Sequence, residues 1–149
     1  MELDKALERM IVLHVAKRSD CPYAWRQNVV VGHSVGVTDK QIAALETGDI
    51  KANCFSEAEQ SVFFFTDEVM DLIEATDETY AAVKKNFSDR AITEMLYVIG
   101  TYMLVVRVLL TGRVPLTMSP QRPHSKSRER QSRSRFEMQL KRRKRCRTK

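Results

Sequence analysis

Residues 21–49 read CPYAWRQNVVVGHSVGVTDKQIAALETGD, and where this stretch is cut decides the fold. Pro22 has no backbone N–H and suits the first turn of a helix, where that donor would lack a partner anyway. Gly32 and Gly36 bracket the end of a helix over 22–33. Thr38 and Gln41 have capping-box spacing: the hydroxyl accepts an N–H of the first turn while the glutamine reaches back to the cap. Gly48 can take the left-handed conformation that stops the helix so begun. The stretch is therefore two helices joined by a tight turn, and no alternation of period two competes with that reading.

The same grammar runs outward in both directions. Over 2–17, Leu3, Leu7, Met10 and His14 recur at helical spacing, flanked by Ala6 and Leu13. Residues 56–75 repeat the capping box with Ser56 and Glu59, then separate an apolar face (Ala58, Val62, Phe65, Val69, Leu72) from an acidic one. Asp77 opens a shorter helix through Phe87. Ser88 opens a last one to about Thr111, apolar nearly all round except for Arg90, Glu94, Tyr97 and Thr101. Such a helix belongs at the centre of a bundle or at a subunit interface. The expected class is all-α, a bundle of about six helices.

Charge divides the chain. Residues 1–113 hold 12 Lys and Arg against 17 Asp and Glu, whereas 114–149 hold 13 against 2. The formal net charge of +6 thus belongs to the C-terminal segment and is no nucleic-acid footprint of the helical body. Residues 1–116 are expected to form the helical domain. Residues 117–149, rich in Arg, Lys and Ser, have too little apolar surface to offset ordering entropy and are expected to be disordered. Runs such as KRRKR can attract RNA, DNA or anionic lipid by counterion release, but Phe136 is the one aromatic among them. A solvated charge run is the plainer reading than a nucleic-acid binder.

Cys21, Cys54 and Cys146 are an odd, sparse set without metal-ligand spacing, so neither a disulfide framework nor a metal is expected, and a reducing cytoplasm is the simplest compartment. No cofactor motif is present. The apolar run 95–110 is short for a membrane span and carries Arg107, so no membrane association is expected.

Cys21 sits where a helix begins, and the helix dipole there favours a thiolate. Its position 24 is alanine, so the chain has no second thiol in reach to resolve an oxidised Cys21. The plain alternative is a small residue packed at a helix start.

Four blocks in fixed order carry a wider resemblance: YAWRQNVVVGHSVGVTDKQIAALETGD, FSEAEQSVFFFTDEV, FSDRAITEMLYVIGTYMLVVRVL and VPL. Over about residues 9–116 the chain resembles the carboxymuconolactone decarboxylase family, the alkyl hydroperoxidase D-like group. The resemblance implies an all-α fold, a homo-oligomer that packs helices between subunits, and peroxidase- or decarboxylase-type chemistry on a small-molecule substrate. Peroxidase members begin the site helix with Cys-x-x-Cys, followed four residues on by a histidine. Cys21 matches the first cysteine, Ala24 replaces the second, and Asn28 stands at the histidine. An upstream glutamate of the pattern falls on Arg9, with Glu8 about 100° away around the helix. Many non-peroxidase members carry Tyr-x-Trp-x-x-His instead; Tyr23 and Trp25 match, and Asn28 again replaces the histidine.

The proton relay is thus altered at three of four positions, since an amide exchanges no proton near neutral pH. The candidate catalytic residues are Cys21, Asn28 and His33, the last as the nearest alternative base. Tyr23 and Trp25 are candidate pocket walls, although aromatic residues on a core helix serve equally for packing. For His33 the plainer reading is a solvated helix-end histidine, and for His14 a hydrogen-bonded core histidine.

Two departures remain. The family usually has further helices ahead of the glutamate position and this chain starts almost at that position, so an N-terminal portion is expected to be lacking and the apolar surface it covers to be exposed or covered by another subunit. The basic segment ends the resemblance abruptly after VPL, as a fused or differently framed segment would. Three functions compete: small-molecule enzyme, non-catalytic oligomerisation module, or anionic-polymer binding through the basic segment.

Overall fold

The computed structural model describes residues 2–114. The expectations about 117–149 fall outside the described residues. Six helices follow in order: α1 (Lys5–Arg18), α2 (Pro22–Ser34), α3 (Asp39–Thr47), α4 (Glu57–Leu72), α5 (Asp77–Lys84) and α6 (Asp89–Thr111). Among the described residues there is no strand, so the fold is all-α as expected.

Side chains start five of the helices. Asp4 accepts the N–H groups of Ala6 and Leu7. Thr38 with Gln41 and Ser56 with Glu59 form complete capping boxes. Thr76 and Ser88 accept from Thr79 and Ala91. Each such cap stabilises its helix by about 1 kcal/mol. α2 is the exception: Cys21 at its N-cap makes no side-chain cap bond, and Pro22 opens the helix without one. Gly48 ends α3 at φ 80°, the left-handed region open to glycine. α4 ends on Ile73 at φ 80°, where a β-branched residue is strained. Glu68 ties the chain back just beyond it, accepting the Thr76 N–H at 2.7 Å and the Thr79 hydroxyl at 2.9 Å.

The central element is α1. Every residue from Met10 to Ala16 is buried, and α2, α3, α4 and α6 all pack against this helix. α6 is not central. It turns Ile92, Met95, Ile99 and Val106 inward and leaves Leu96, Tyr97, Leu104 and Val108 exposed. Its outward side is therefore as apolar as many inward ones.

α2 lies close along α1 because its facing residues are small or slender: Ala24, Asn28 and Gly32 are its buried positions, one turn apart. A Cβ added to Gly32 would stand 3.6 Å from Leu13 Cδ1 and 3.7 Å from Arg9 Cγ. This close approach brings α1 and α2 together at the candidate site.

Candidate functional site

Three helices converge on one polar cluster. Arg9 comes from α1, Asn28 from α2 and Tyr102 from α6. Arg9 Nη1 donates to Asn28 Oδ1 at 2.6 Å and to the Tyr102 hydroxyl oxygen at 3.1 Å. The Tyr102 hydroxyl in turn donates to Asn28 Oδ1 at 3.3 Å. Asn28 Nδ2 donates to the Ala24 carbonyl at 2.7 Å, which fixes the orientation of the amide. Asn28 is 7% exposed, so each of these bonds forms largely away from water. The guanidinium is a permanent cation held mainly by neutral oxygens, with Glu8 Oε1 3.7 Å from Nη2. Its Nε is buried and has no hydrogen-bond partner.

Cys21 lies elsewhere in character. It is 2% exposed and packs in a small apolar cluster with Ala16, Ala24 and Val106, edged by Trp25 and Leu109. Its backbone N–H bonds the Ala16 carbonyl, and its own carbonyl accepts from Trp25. The thiol is free, as is that of Cys54. Trp25 is half-buried and joins this cluster to the main core, while Tyr23 is half-buried on the same helix. His33 is 47% exposed at the far end of α2, with Nδ1 3.6 Å from Asp39 Oδ1. The structure therefore brings Asn28 together with Arg9 and Tyr102 and leaves His33 outside the cluster.

His14 is buried and its Nε2 pairs with Asp67 Oδ1 at 2.7 Å, with its ring tilted against Phe63. Arg18 Nε approaches the same Asp67 oxygen at 2.9 Å, and Arg18 Nη2 reaches Asp71 at 2.6 Å. This network ties α1 to α4. A groove of about 360 Å³ opens between α4 and α5, lined by Glu57, Gln60, Ser61, Phe64, Glu78 and Thr79. None of the residues singled out from the sequence borders it. Among the described residues no cluster of His, Cys, Asp and Glu is arranged to hold a metal ion.

No protein-family model matches the chain, and no curated protein does. A solved structure does match. It is a crystal structure of a protein of unknown function from Agrobacterium tumefaciens, for which an antioxidant-defence role of the AhpD kind has been suggested. The two superpose with a TM-score of 0.71 over 83% of this chain and 82% of that one, at 19% identity. The chain has the alkyl hydroperoxidase D-like fold.

In this alkyl hydroperoxidase D-like fold, the positions that the sequence resemblance gives to a glutamate and a histidine are filled by Arg9 and Asn28, and the two touch. Two departures that look independent along the chain form one hydrogen bond in space. Tyr102 was not singled out from the sequence. It lies 74 positions from Asn28, and its only signal is a hydroxyl on an otherwise apolar stretch of α6.

Proposed function

We propose that this is a carboxymuconolactone decarboxylase-like protein that has kept the fold without the thiol-peroxidase cycle, its helical body serving as a self-associating module. The observation that supports this reading is the state of Asn28. At the position of the proton carrier stands an amide whose oxygen is occupied by Arg9 and Tyr102 and whose nitrogen is bonded to Ala24. Such a group holds neighbours in place and moves no proton. Cys21, walled in by Ala16, Ala24 and Val106, is shut off from a peroxide that would have to approach its sulfur in line. The free thiols of Cys21 and Cys54 suit a reducing cytoplasm. The test is hydroperoxide consumption by the wild-type chain and by Cys21→Ser. Both are expected to match buffer; consumption by the wild type that Cys21→Ser abolishes would overturn the reading.

A second reading is favoured by Arg9 alone. Its guanidinium is part-buried, and its Nε is free of hydrogen-bond partners. A carboxylated small molecule is the chemistry a guanidinium recognises best. In that reading the Arg9–Asn28–Tyr102 cluster orients a carboxylate for carboxy-lyase-type chemistry, and Asn28→His, which returns a proton carrier, raises turnover. An unchanged rate in Asn28→His counts against it.

A further inference from the structure

We propose that the outer face of α6, with the basic run that follows it in the chain, docks this protein on an anionic bilayer surface, the helix lying in the plane of the interface. The proposal is independent of the self-association reading, which names no surface. Tyr97, Leu104 and Val108 share one stripe of α6, at intervals of seven and four residues. This is the side the chain leaves open: Tyr97 is 74%, Leu104 62% and Val108 57% exposed. Ile92, Met95, Ile99 and Val106 lie on the opposite side and are buried. One helix thus carries two apolar faces, of which the chain covers one. Leu96, Leu110 and Val114 widen the exposed apolar surface. The expectation of no membrane association rests on the length needed for a span, and a helix lying in the interface needs none.

Charge selects the occupant. Between Glu94 and Arg107 α6 has no charged residue, so the stripe can enter an apolar layer without carrying an unpaired charge into it. At its N-terminal end Arg90 and Glu94 pair with each other. At its C-terminal end stand Arg107 and Arg113, both exposed. Arg107 Nη1 donates to the Met103 carbonyl at 2.7 Å, and the rest of its donor fork is left for phosphate oxygens. Such a side chain keeps its head among headgroups while its stem and the helix face sink below them. The same sign continues along the chain, since residues 114–149 hold 13 Lys and Arg against 2 Asp and Glu. An apolar helix face and a polybasic run are two signals that together make a reversible anchor. A nucleic acid would match the charge and leave the apolar stripe in water. An uncharged protein surface would cover the stripe and leave the charge unmatched. An anionic leaflet matches both. α6 is also long and apolar enough to cross a membrane. Its inner face, however, is packed on α1 through Ile92, Met95 and Ile99, so the body stays outside the bilayer while the outer face enters it.

The test is flotation of the full chain with vesicles of phosphatidylcholine alone and of phosphatidylcholine mixed with phosphatidylserine, at low and high salt, with circular dichroism to follow helix content. The wild type is expected to float with the mixed vesicles, and its partition to fall at least ~10-fold on phosphatidylcholine alone or at high salt. Leu104→Glu is expected to lower partition on mixed vesicles by about tenfold or more with helix content unchanged. Leu104→Trp, a gain-of-function control that does not depend on a disruptive charge, is expected to raise partition and to show blue-shifted emission on mixed vesicles beyond that of the wild type. The Arg142→Glu, Arg143→Glu double variant is expected to lower partition on mixed vesicles. No flotation of the wild type would overturn the proposal, and so would equal flotation on both lipids. Flotation unchanged in both Leu104 variants would overturn the role of α6 and leave binding to the basic run alone. An assembly of the wild type in solution that Leu104→Glu dissociates, with flotation unaffected, would overturn it by giving this face to a second copy.

Discussion

Arg9 Nη1 donates to Asn28 Oδ1 across the α1–α2 contact at 2.6 Å, so the side chains at two altered positions of the expected proton relay hold each other. Without Arg9, the Asn28 oxygen would keep only the longer bond from Tyr102. A charged donor to a buried amide contributes about 1.5–3 kcal/mol.

Arg9→Met, which keeps much of the apolar stem and removes the guanidinium, is expected to lower the unfolding free energy by about 1–3 kcal/mol in urea titrations. Asn28→Ala should cost a similar amount. The double variant should cost less than the two singles added, by about 1 kcal/mol, because both remove one interaction. Strict additivity would show that the contact contributes nothing.

Asp67 gathers His14 and Arg18 on one oxygen, whereas Asp71 meets Arg18 at the surface. Asp67→Ala leaves buried His14 without its Nε2 partner and is expected to cost about 1–3 kcal/mol. Asp71→Ala removes an exposed ion pair and should cost under about 1 kcal/mol. Equal losses in chemical denaturation would contradict the assignment of α1–α4 cohesion to the buried pair.

Two carboxylates bind protons less readily in the folded chain than in the unfolded one. For Glu68, partial desolvation pushes its pKa up, but hydrogen bonds from the Thr76 N–H and from the Thr79 and Thr76 hydroxyls outweigh it and hold it below 4.5. For Glu94, the N–H of Leu3 leads, with the Glu2 N–H and the Arg90 guanidinium, in overcoming desolvation to the same effect. The unfolded state therefore takes up protons first as pH falls. The stability these groups contribute is complete above the ordinary carboxylate value and is lost as pH drops through the lowered folded ones. Thermal melts from pH 6 to pH 3 should show a smaller acid-induced drop in the Glu68→Gln, Glu94→Gln double variant than in the wild type. An identical drop would assign acid sensitivity to other groups.

The helices were legible because their starts are written in short-range chemistry. Thr38 with Gln41 and Ser56 with Glu59 announce caps that the structure contains in full. The place of α6 in the fold was not legible. A helix buried between neighbours and a helix with one face left open share the same apolar composition, and only packing tells Ile99 from Leu104. The site was half legible. Its helix could be read from spacing and the substitution at Asn28 from the family resemblance, whereas Tyr102 enters through the α1–α6 contact, which no local pattern encodes. Arg9 was visible only as a misfit, because its meaning lies in a hydrogen bond to a residue 19 positions away.

The account depends most on the closure of the chain around the Cys21 sulfur. Native-state alkylation with iodoacetamide, followed by peptide mapping over time, measures it directly. The account predicts that half-buried Cys54 is modified in the native protein, while Cys21 reacts only after denaturant is added. Modification of Cys21 in the native protein at a rate comparable to Cys54 would mean that a reagent reaches the helix entrance, and would contradict the claim that the peroxidatic position is closed.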